Sequence, residues 1–311
     1  MFHNMRYVYE VYRERSFSKA ADKLFIAQPS LSAMIKKVES RVGSPLFDRS
    51  SNPIRLTDCG AEYVKCVEEI MDIESGFENY LNNLDELRTG SLSIGASNFF
   101  SSYILPPIIA RFQSKYPKVT IDLVEADTVH LERQLFSGDL DLIVDNCDLD
   151  DGIYKKHFFY SEYLLLSAPI DLDLNEAARD YQLTAADISE GRHLDPATPA
   201  VPLKLFADAP WIMLRYGNDT RTRIDKICSD SGISPRVILE LDQLATAYHM
   251  ACHVMGVTLA SDTLAKRVIP NPRMVFYKIG SPHAKRDNYF YYKHGKYISR
   301  AMQEFLSIAA S

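Results

Sequence analysis

Residues 16 to 42, SFSKAADKLFIAQPSLSAMIKKVESRV, hold two short amphipathic segments separated by a turn near Phe25 to Ala27. In the second segment Leu31, Met34, Ile35, Val38 and Val42 recur at offsets of three, four, seven and eleven, the period of a single helix face. The opposite face carries Ser30, Ser32, Ala33, Lys36, Lys37, Ser40 and Arg41, small side chains first and cations further along. That gradient suits a DNA major groove. Base edges are approached by the first residues of a recognition helix, while cations and helix N–H groups meet phosphate. Pro29 fits a first helical turn, where its missing N–H costs nothing. Ala20 and Ala21 are small enough for the two helices to cross closely. Periodicity alone also permits an ordinary packed hairpin with a solvated face.

The order of residues narrows this choice. SFSKAADKLFIAQPSLSAMIKKVES, then GSPLFDR, then LTDCG, resembles the winged helix-turn-helix of LysR-type transcriptional regulators over about sixty residues with its spacing intact. The resemblance implies that Gln28, Pro29, Ser30, Ser32 and Ala33 lie at the groove, Lys36 beside the backbone, and Arg49 on a phosphate. Ala33 departs from the family's common long polar or basic residue, and Asn52 from its usual wing arginine. Leu46 and Phe47 anchor a short strand, SSNP is a turn composition, and Ile54 to Leu56 return, forming a wing flanked by Arg49 and Arg55.

At 311 residues the chain accommodates two or three compact units. It has no apolar run of membrane-spanning length and no signal-peptide pattern, so no membrane role and a cytoplasmic location are expected. Five cysteines (Cys59, Cys66, Cys147, Cys228 and Cys252) are scattered without a CxxC pair, which indicates neither a disulfide framework nor a zinc site. No cofactor is implied. The net charge of −6 is unevenly divided: residues 1 to 58 hold ten Lys and Arg against six Asp and Glu, leaving 25 against 35 in the remainder. A basic head on an acidic body is expected where only the head meets phosphate.

A first helix is expected over His3 to Arg15. Thr57 reads as the N-cap of a long helix from Asp58 to about Leu87, in which Val64, Val67, Met71, Leu81 and Leu84 form a seam for a partner helix. From Leu92 short apolar strands alternate with helices, which argues for a parallel sheet covered on both faces. The expected architecture is α/β: a winged helix-turn-helix (1–58), a linker helix and hinge (59–90), and a two-lobed effector domain (91–311) that resembles a periplasmic binding protein. Lobe I takes about 91–161 and 269–311, and lobe II 162–268. The chain is expected to cross between lobes at Asp145 to Cys147 and around Asp262. Residues 169 to 210 exceed a usual connection and read as one helix, Leu174 to Tyr181, then a proline-rich loop.

Ligands of such sheets bind beyond strand carboxyl ends, at helix N-termini. Three ends qualify, and by position the resemblance makes Ser97, Asn98, Phe99, Thr128, Gly217, Asn218, Asp219 and Thr220 the effector contacts. The same residue types are also good N-caps. Asp127 and Asp219 oppose a dianion unless Arg215, Arg221 or Arg223 answers them, and a small organic acid stands slightly ahead of a neutral or amino-acid ligand. The sequence lacks GxSxG, P-loop, GxGxxG and HExxH patterns. His249 and His253 have metal-ligand spacing but no third ligand nearby. The expected function is a ligand-responsive regulator that reads a palindromic operator in double-stranded DNA. It would act as a homo-oligomer, a dimer of dimers, with RNA polymerase as a further contact. An α/β enzyme, or a binding protein without a transcriptional role, is the alternative.

Overall fold

The computed structural model describes residues 2, 4–51, 53–84 and 90–310. His3, Asn52 and residues 85–89 lie outside them. Two compact units emerge, one built on Met1–Glu86 with Gly295–Arg300, the other on Leu87–His294 with Ala301–Ser311.

In the first unit α1 (Met5–Glu14), α2 (Phe17–Lys23) and α3 (Gln28–Val42) pack around Val8, Val11, Ala20, Ala21, Leu31, Ile35 and Val38, all buried. Ser16 caps α2 by accepting from the Lys19 N–H, and α3 stops at Gly43, whose φ of 84° only glycine adopts without strain. The wing is a two-residue antiparallel pair, β1 (Phe47–Asp48) and β2 (Arg55–Leu56). Thr57 Oγ1 then accepts from the Gly60 N–H at 3.0 Å and begins α4 (Asp58–Leu84). Gly60 presses so closely on the wing that a Cβ there would lie 2.0 Å from the Leu46 carbonyl oxygen.

The seam expected along α4 is divided. Val64 and Val67 are buried in the head's own core and Met71 packs against it, so the first half of the helix serves the head. Ile73 and Phe77 are exposed, and the side chains of Leu81 and Leu84 lie outside those described.

The second unit opens with β3 (Gly90–Ala96), a π-turn (Phe100–Ile104), α5 (Leu105–Lys115), β4 (Val119–Glu125), α6 (Thr128–Ser137) and β5 (Leu142–Asp145). The 16-residue β6 (Tyr154–Pro169) follows. Next come α7 (Leu174–Ala177), β7 (Gln182–Leu183), α8 (Ala185–Ser189), β8 (Pro210–Leu214), α9 (Asp219–Asp230) and β9 (Arg236–Leu241). The chain closes with α10 (Leu244–Cys252), β10 (Thr258–Ser261), α11 (Asp262–Arg267), β11 (Met274–Lys278), β12 (Lys285–Lys293) and α12 (Arg300–Ala309).

The sheet is mixed, contrary to the expectation of a parallel one. β3 pairs in parallel with β4 and β5, but β12 runs antiparallel to both β5 and β6, and β10 and β11 run antiparallel to β6. Strands that carry the chain between lobes in opposite directions pair antiparallel, and these are β6 and β12, not the segments at Asp145 to Cys147 and Asp262. β6 pairs with β12 through Tyr163 and with β10 and β11 from Leu164 onward, so one strand belongs to both lobes. β11 also departs from its expected lobe, since Val275 and Tyr277 pack with Trp211, Met213, Ile224 and Leu259 in the second lobe's core.

Residues 169 to 210 are folded, not a helix followed by a loop. Asn175, 5% exposed, donates to the carbonyls of Pro169 and Ile170 at 2.6 and 2.9 Å and accepts from the Tyr277 hydroxyl at 2.8 Å. Thr184 and Asp187 form a capping box on α8, and short 3-10 turns at Arg179–Tyr181, Arg192–Leu194 and Leu203–Phe206 fill the remainder. Among the described residues no helix is long and apolar enough to cross a membrane.

Candidate nucleic-acid interface and effector site

Burying Leu31, Ile35 and Val38 leaves Gln28, Pro29, Ser30, Ala33 and Lys36 exposed on the other side of α3, with Ser32 partly covered. Pro29 occupies the first turn, as its chemistry suggests. Arg55 is exposed on the wing. Arg49 is differently placed: its guanidinium donates to Glu39 Oε2 at 2.9 Å and lies 5.1 Å from the Phe17 ring centroid. Glu39 Oε1 meanwhile accepts from the Leu46 N–H at 2.9 Å, so Arg49 braces the wing against α3 and reaches a phosphate only from that pairing.

In the second unit β4, β3 and β5 are adjacent parallel strands, so their carboxyl ends lie side by side. Ser97, Asn98 and Phe99 follow β3; Asn98 donates to Glu125 at 3.1 Å, and Phe99 is buried against Phe100 and Tyr103. Asp127, at the end of β4, caps α6 by accepting from the His130 N–H and is tied to the His130 ring. Thr128 Oγ1 donates to Asp145 Oδ2 at 2.7 Å and lies 4.0 Å from Cys147 Sγ. Asp145, 3% exposed, also accepts from the N–H groups of Asn146 and Cys147.

On the other lobe Gly217 has φ 90°, which turns the chain into α9, and Asn218 caps that helix by accepting from the Thr220 N–H at 2.9 Å. Asp219 pairs with Arg223 at 2.8 Å. Thr220, 5% exposed, accepts at 2.7 Å from Arg286, whose Nε donates to the buried Glu162 at 2.6 Å. Burial pushes the Cys147 thiol up to about 12, helped by the charges of Asp145 and of Asp219. Asp219 also acts on Arg286, whose pKa is raised although burial opposes it, because Glu162 and Asp219 supply negative charge. The α6 and α9 ends are therefore within electrostatic reach of each other across the crossing strands.

The three arginines expected to answer an acid all have protein partners. Arg215 pairs with Asp242, Arg223 with Asp219, and Arg221 with Asp225 and Glu240 while stacked on Tyr216. Sequence reasoning missed Arg286, Glu162, Asp145 and Cys147. For Arg286 a signal existed in KRDN at 285–288, alternate residues of which are buried, but the charges masked the first half of β12.

A winged helix-turn-helix joined to a two-lobed α/β domain with paired helix ends defines a DNA-binding regulator with a small-molecule-binding domain. The comparisons agree. The profile of the bacterial regulatory helix-turn-helix protein, lysR family, matches residues 2–61, and that of the LysR substrate binding domain matches residues 85–311. The uncharacterized HTH-type transcriptional regulator YcgK of Bacillus subtilis is 30% identical over 310 residues, covering 98% of this chain and 92% of its own. Among solved structures, a cysteine-substituted form of full-length OxyR from Pseudomonas aeruginosa matches with a TM-score of 0.71 at 20% identity, covering 98% of this chain and 92% of its own. Full-length CbnR complexed with its target DNA matches at 0.58 and 15%, covering 99% and 98%. The chain belongs to the LysR family of transcriptional regulators. That membership sets aside the enzyme alternative.

Proposed function

We propose that the chain reads a palindromic operator through Gln28, Pro29, Ser30, Ser32 and Ala33 on α3, with Lys36, Arg49 and Arg55 on phosphates, and that a small effector held at the ends of α6 and α9 modulates this. The observation that carries the first half is the exposed face of α3, small at its start and cationic beyond, on a helix whose other face is buried. Residues 1–58 act as the reader, 59–90 as linker and 91–311 as sensor, although Val64 and Val67 extend the reader's core into α4. Two readers are needed for a palindrome, so the working species is a homo-oligomer, a dimer of dimers, that signals to RNA polymerase from the cytoplasm.

Ser97, Asn98, Phe99, Thr128, Gly217, Asn218, Asp219 and Thr220 frame the effector site. Asp145, Asp219 and Glu162 there exceed Arg286 and Arg223 in charge, which disfavours a dianion and shifts the reading from an organic acid toward a ligand that also donates, such as an amino acid. The test is quantitative footprinting on the upstream operator. Ser32→Glu should abolish binding with the fold intact, and Lys36→Ala should flatten the log K against log salt slope by about 0.9 per lost phosphate contact. Thr128→Val and Asn218→Ala should weaken the effector response at unchanged basal affinity. Normal operator affinity in Ser32→Glu would overturn the assigned face.

A further inference from the structure

The segment at 169–210, which the regulator reading leaves without a role, roofs a cavity in the second lobe. The cavity has a volume of about 240 Å³ and is bounded by Tyr163 of β6, Lys278 of β11, Lys285 of β12 and, from the segment, His193 and Leu194. Lys278 fastens the roof by donating to the Asp195 carbonyl at 2.7 Å. The remaining wall is mostly apolar, supplied by residues such as Leu165, Ile279 and Ala284, with the Ser281 hydroxyl as its polar exception.

His193 is the built feature. Its side chain is 1% exposed, and Nε2 lies 3.0 Å from Asp262 Oδ2. Asp262 is itself fixed, accepting from Lys266 Nζ at 2.8 Å and from the Tyr163 N–H at 2.8 Å. An ionised Asp262 accepts from Nε2–H. The other ring nitrogen, Nδ1, is buried and has no hydrogen-bond partner among the described residues. A buried polar atom without a partner costs free energy unless something binds it.

The charge around the cavity indicates what that something is. Lys278 and Lys285 line it, and among its described lining residues none is a carboxylate, since Asp262 stands behind His193. The volume exceeds the roughly 150 Å³ of an engineered apolar cavity that holds benzene, so a ring or branched chain with one small polar head fits.

We propose that this cavity is a second ligand site, taking a small monocarboxylate with an apolar body whose carboxylate accepts from His193 Nδ1–H between Lys278 and Lys285. The carboxylate accepts from Nδ1–H while Nε2–H remains on Asp262. The titratable groups facing the imidazole are Asp262 and Lys266 of α11, Tyr163 of β6, and the two rim lysines. The site is separate from the one at α6 and α9. β6 and β12 pair Tyr163 with Lys285 and Glu162 with Arg286, and successive residues of a strand point to opposite faces, so the two sites use opposite sides of the same ladder.

Titration calorimetry of the full chain with phenylacetate, isovalerate and the neutral phenylacetamide tests this. The expected result is saturable carboxylate binding, no binding of the amide, and at least tenfold weaker binding in His193→Gln. Leu194→Trp, which fills the cavity from its solvent side, should give the same loss, with thermal unfolding reporting an intact lobe in both variants. Thr128→Val should bind phenylacetate as the unaltered chain does. Absence of carboxylate binding at millimolar concentration, or binding lost in Thr128→Val but kept in both cavity variants, would each overturn the proposal.

Discussion

Arg286 and Glu162 form the most consequential ion pair in the effector unit, because their side chains are 2% and 0% exposed and joined at 2.6 Å. Arg286→Met removes the cation and strands a carboxylate in the sheet, a change that costs about 3–5 kcal/mol in comparable buried pairs. It also takes the donor from Thr220 Oγ1, adding about 1 kcal/mol if that acceptor stays dry. Glu162→Leu strands Arg286 instead, at somewhat lower cost because Asp219 lies within its field. The double variant removes both charges, and well-packed apolar replacements of buried pairs are often neutral, so it should fall within about 1–2 kcal/mol of the original. Trp211, the chain's single tryptophan, is fully buried in the same unit, and its emission during urea unfolding follows the transition. With a slope of about 2 kcal/mol/M, Arg286→Met should lower the midpoint by roughly 2–3 M, Glu162→Leu by roughly 1.5–2.5 M, and the double by under about 1 M. Single variants that shift the midpoint by less than about 0.5 M, or a double variant as unstable as the two effects added, would refute the reasoning.

Gly60→Ala gains about 1 kcal/mol of helix propensity but drives a Cβ into the Leu46 carbonyl, and overpacking of about 1–3 kcal/mol or more should win, lowering the head's melting temperature and its operator affinity together. Phe25 has φ 54° and is 95% exposed, so Phe25→Asn should raise the head's stability by about 0.5–1 kcal/mol in a melt, and a lower melting temperature would contradict it. The thiol of Cys147, pushed up to about 12, should alkylate slowly, with a rate that still climbs about tenfold per pH unit from pH 7 to 9 and reaches no plateau, whereas Cys66 is exposed and should label first. Burial pushes Asp262 upward, but hydrogen bonds from His193, Lys266 and the Tyr163 N–H outweigh it and hold the carboxyl below its usual value of 3.8. A depressed carboxyl contributes stability that is complete above the unfolded value and lost as pH falls through the folded one, so Asp262→Asn should flatten the acid limb of the lobe's stability profile below about pH 4.

The head was legible because its signals are local. Thr57 announces α4, Gly43 ends α3, and the apolar offsets from Leu31 to Val42 identify the buried face without knowledge of any partner. The effector unit was legible in its strands and helices but not in its site. Arg286 and Glu162 are 124 residues apart, and only the β6–β12 register brings them together. Asn175 read as an ordinary helix residue because its partner, the Tyr277 hydroxyl, is 102 residues distant. The N-cap residues Thr128 and Asn218 could be located from sequence, yet the same chemistry serves a helix and a ligand alike. Arg49 shows the limit from the other side: its position matched a phosphate contact, while its guanidinium is paired with Glu39.

The same ladder frames how the proposed site would transmit a signal. A ligand changes an equilibrium only by binding two arrangements with different affinity. At the proposed site a ligand touching Thr128 and Thr220 would bridge both lobes, so the arrangements that matter would differ in lobe angle. β6 cannot hinge within its run from Tyr154 to Tyr163 without breaking its pairing to β12. It can bend at Tyr163 and Leu164, where β10 and β11 replace β12 as neighbours, and β12 can bend at its register shift between Asn288 and Tyr289. Arg286 lies between these points and holds Thr220, hence the start of α9, against the ladder. At the proposed site, a ligand group that accepted from Arg286 in place of Thr220 would free the start of α9 from the crossing strands.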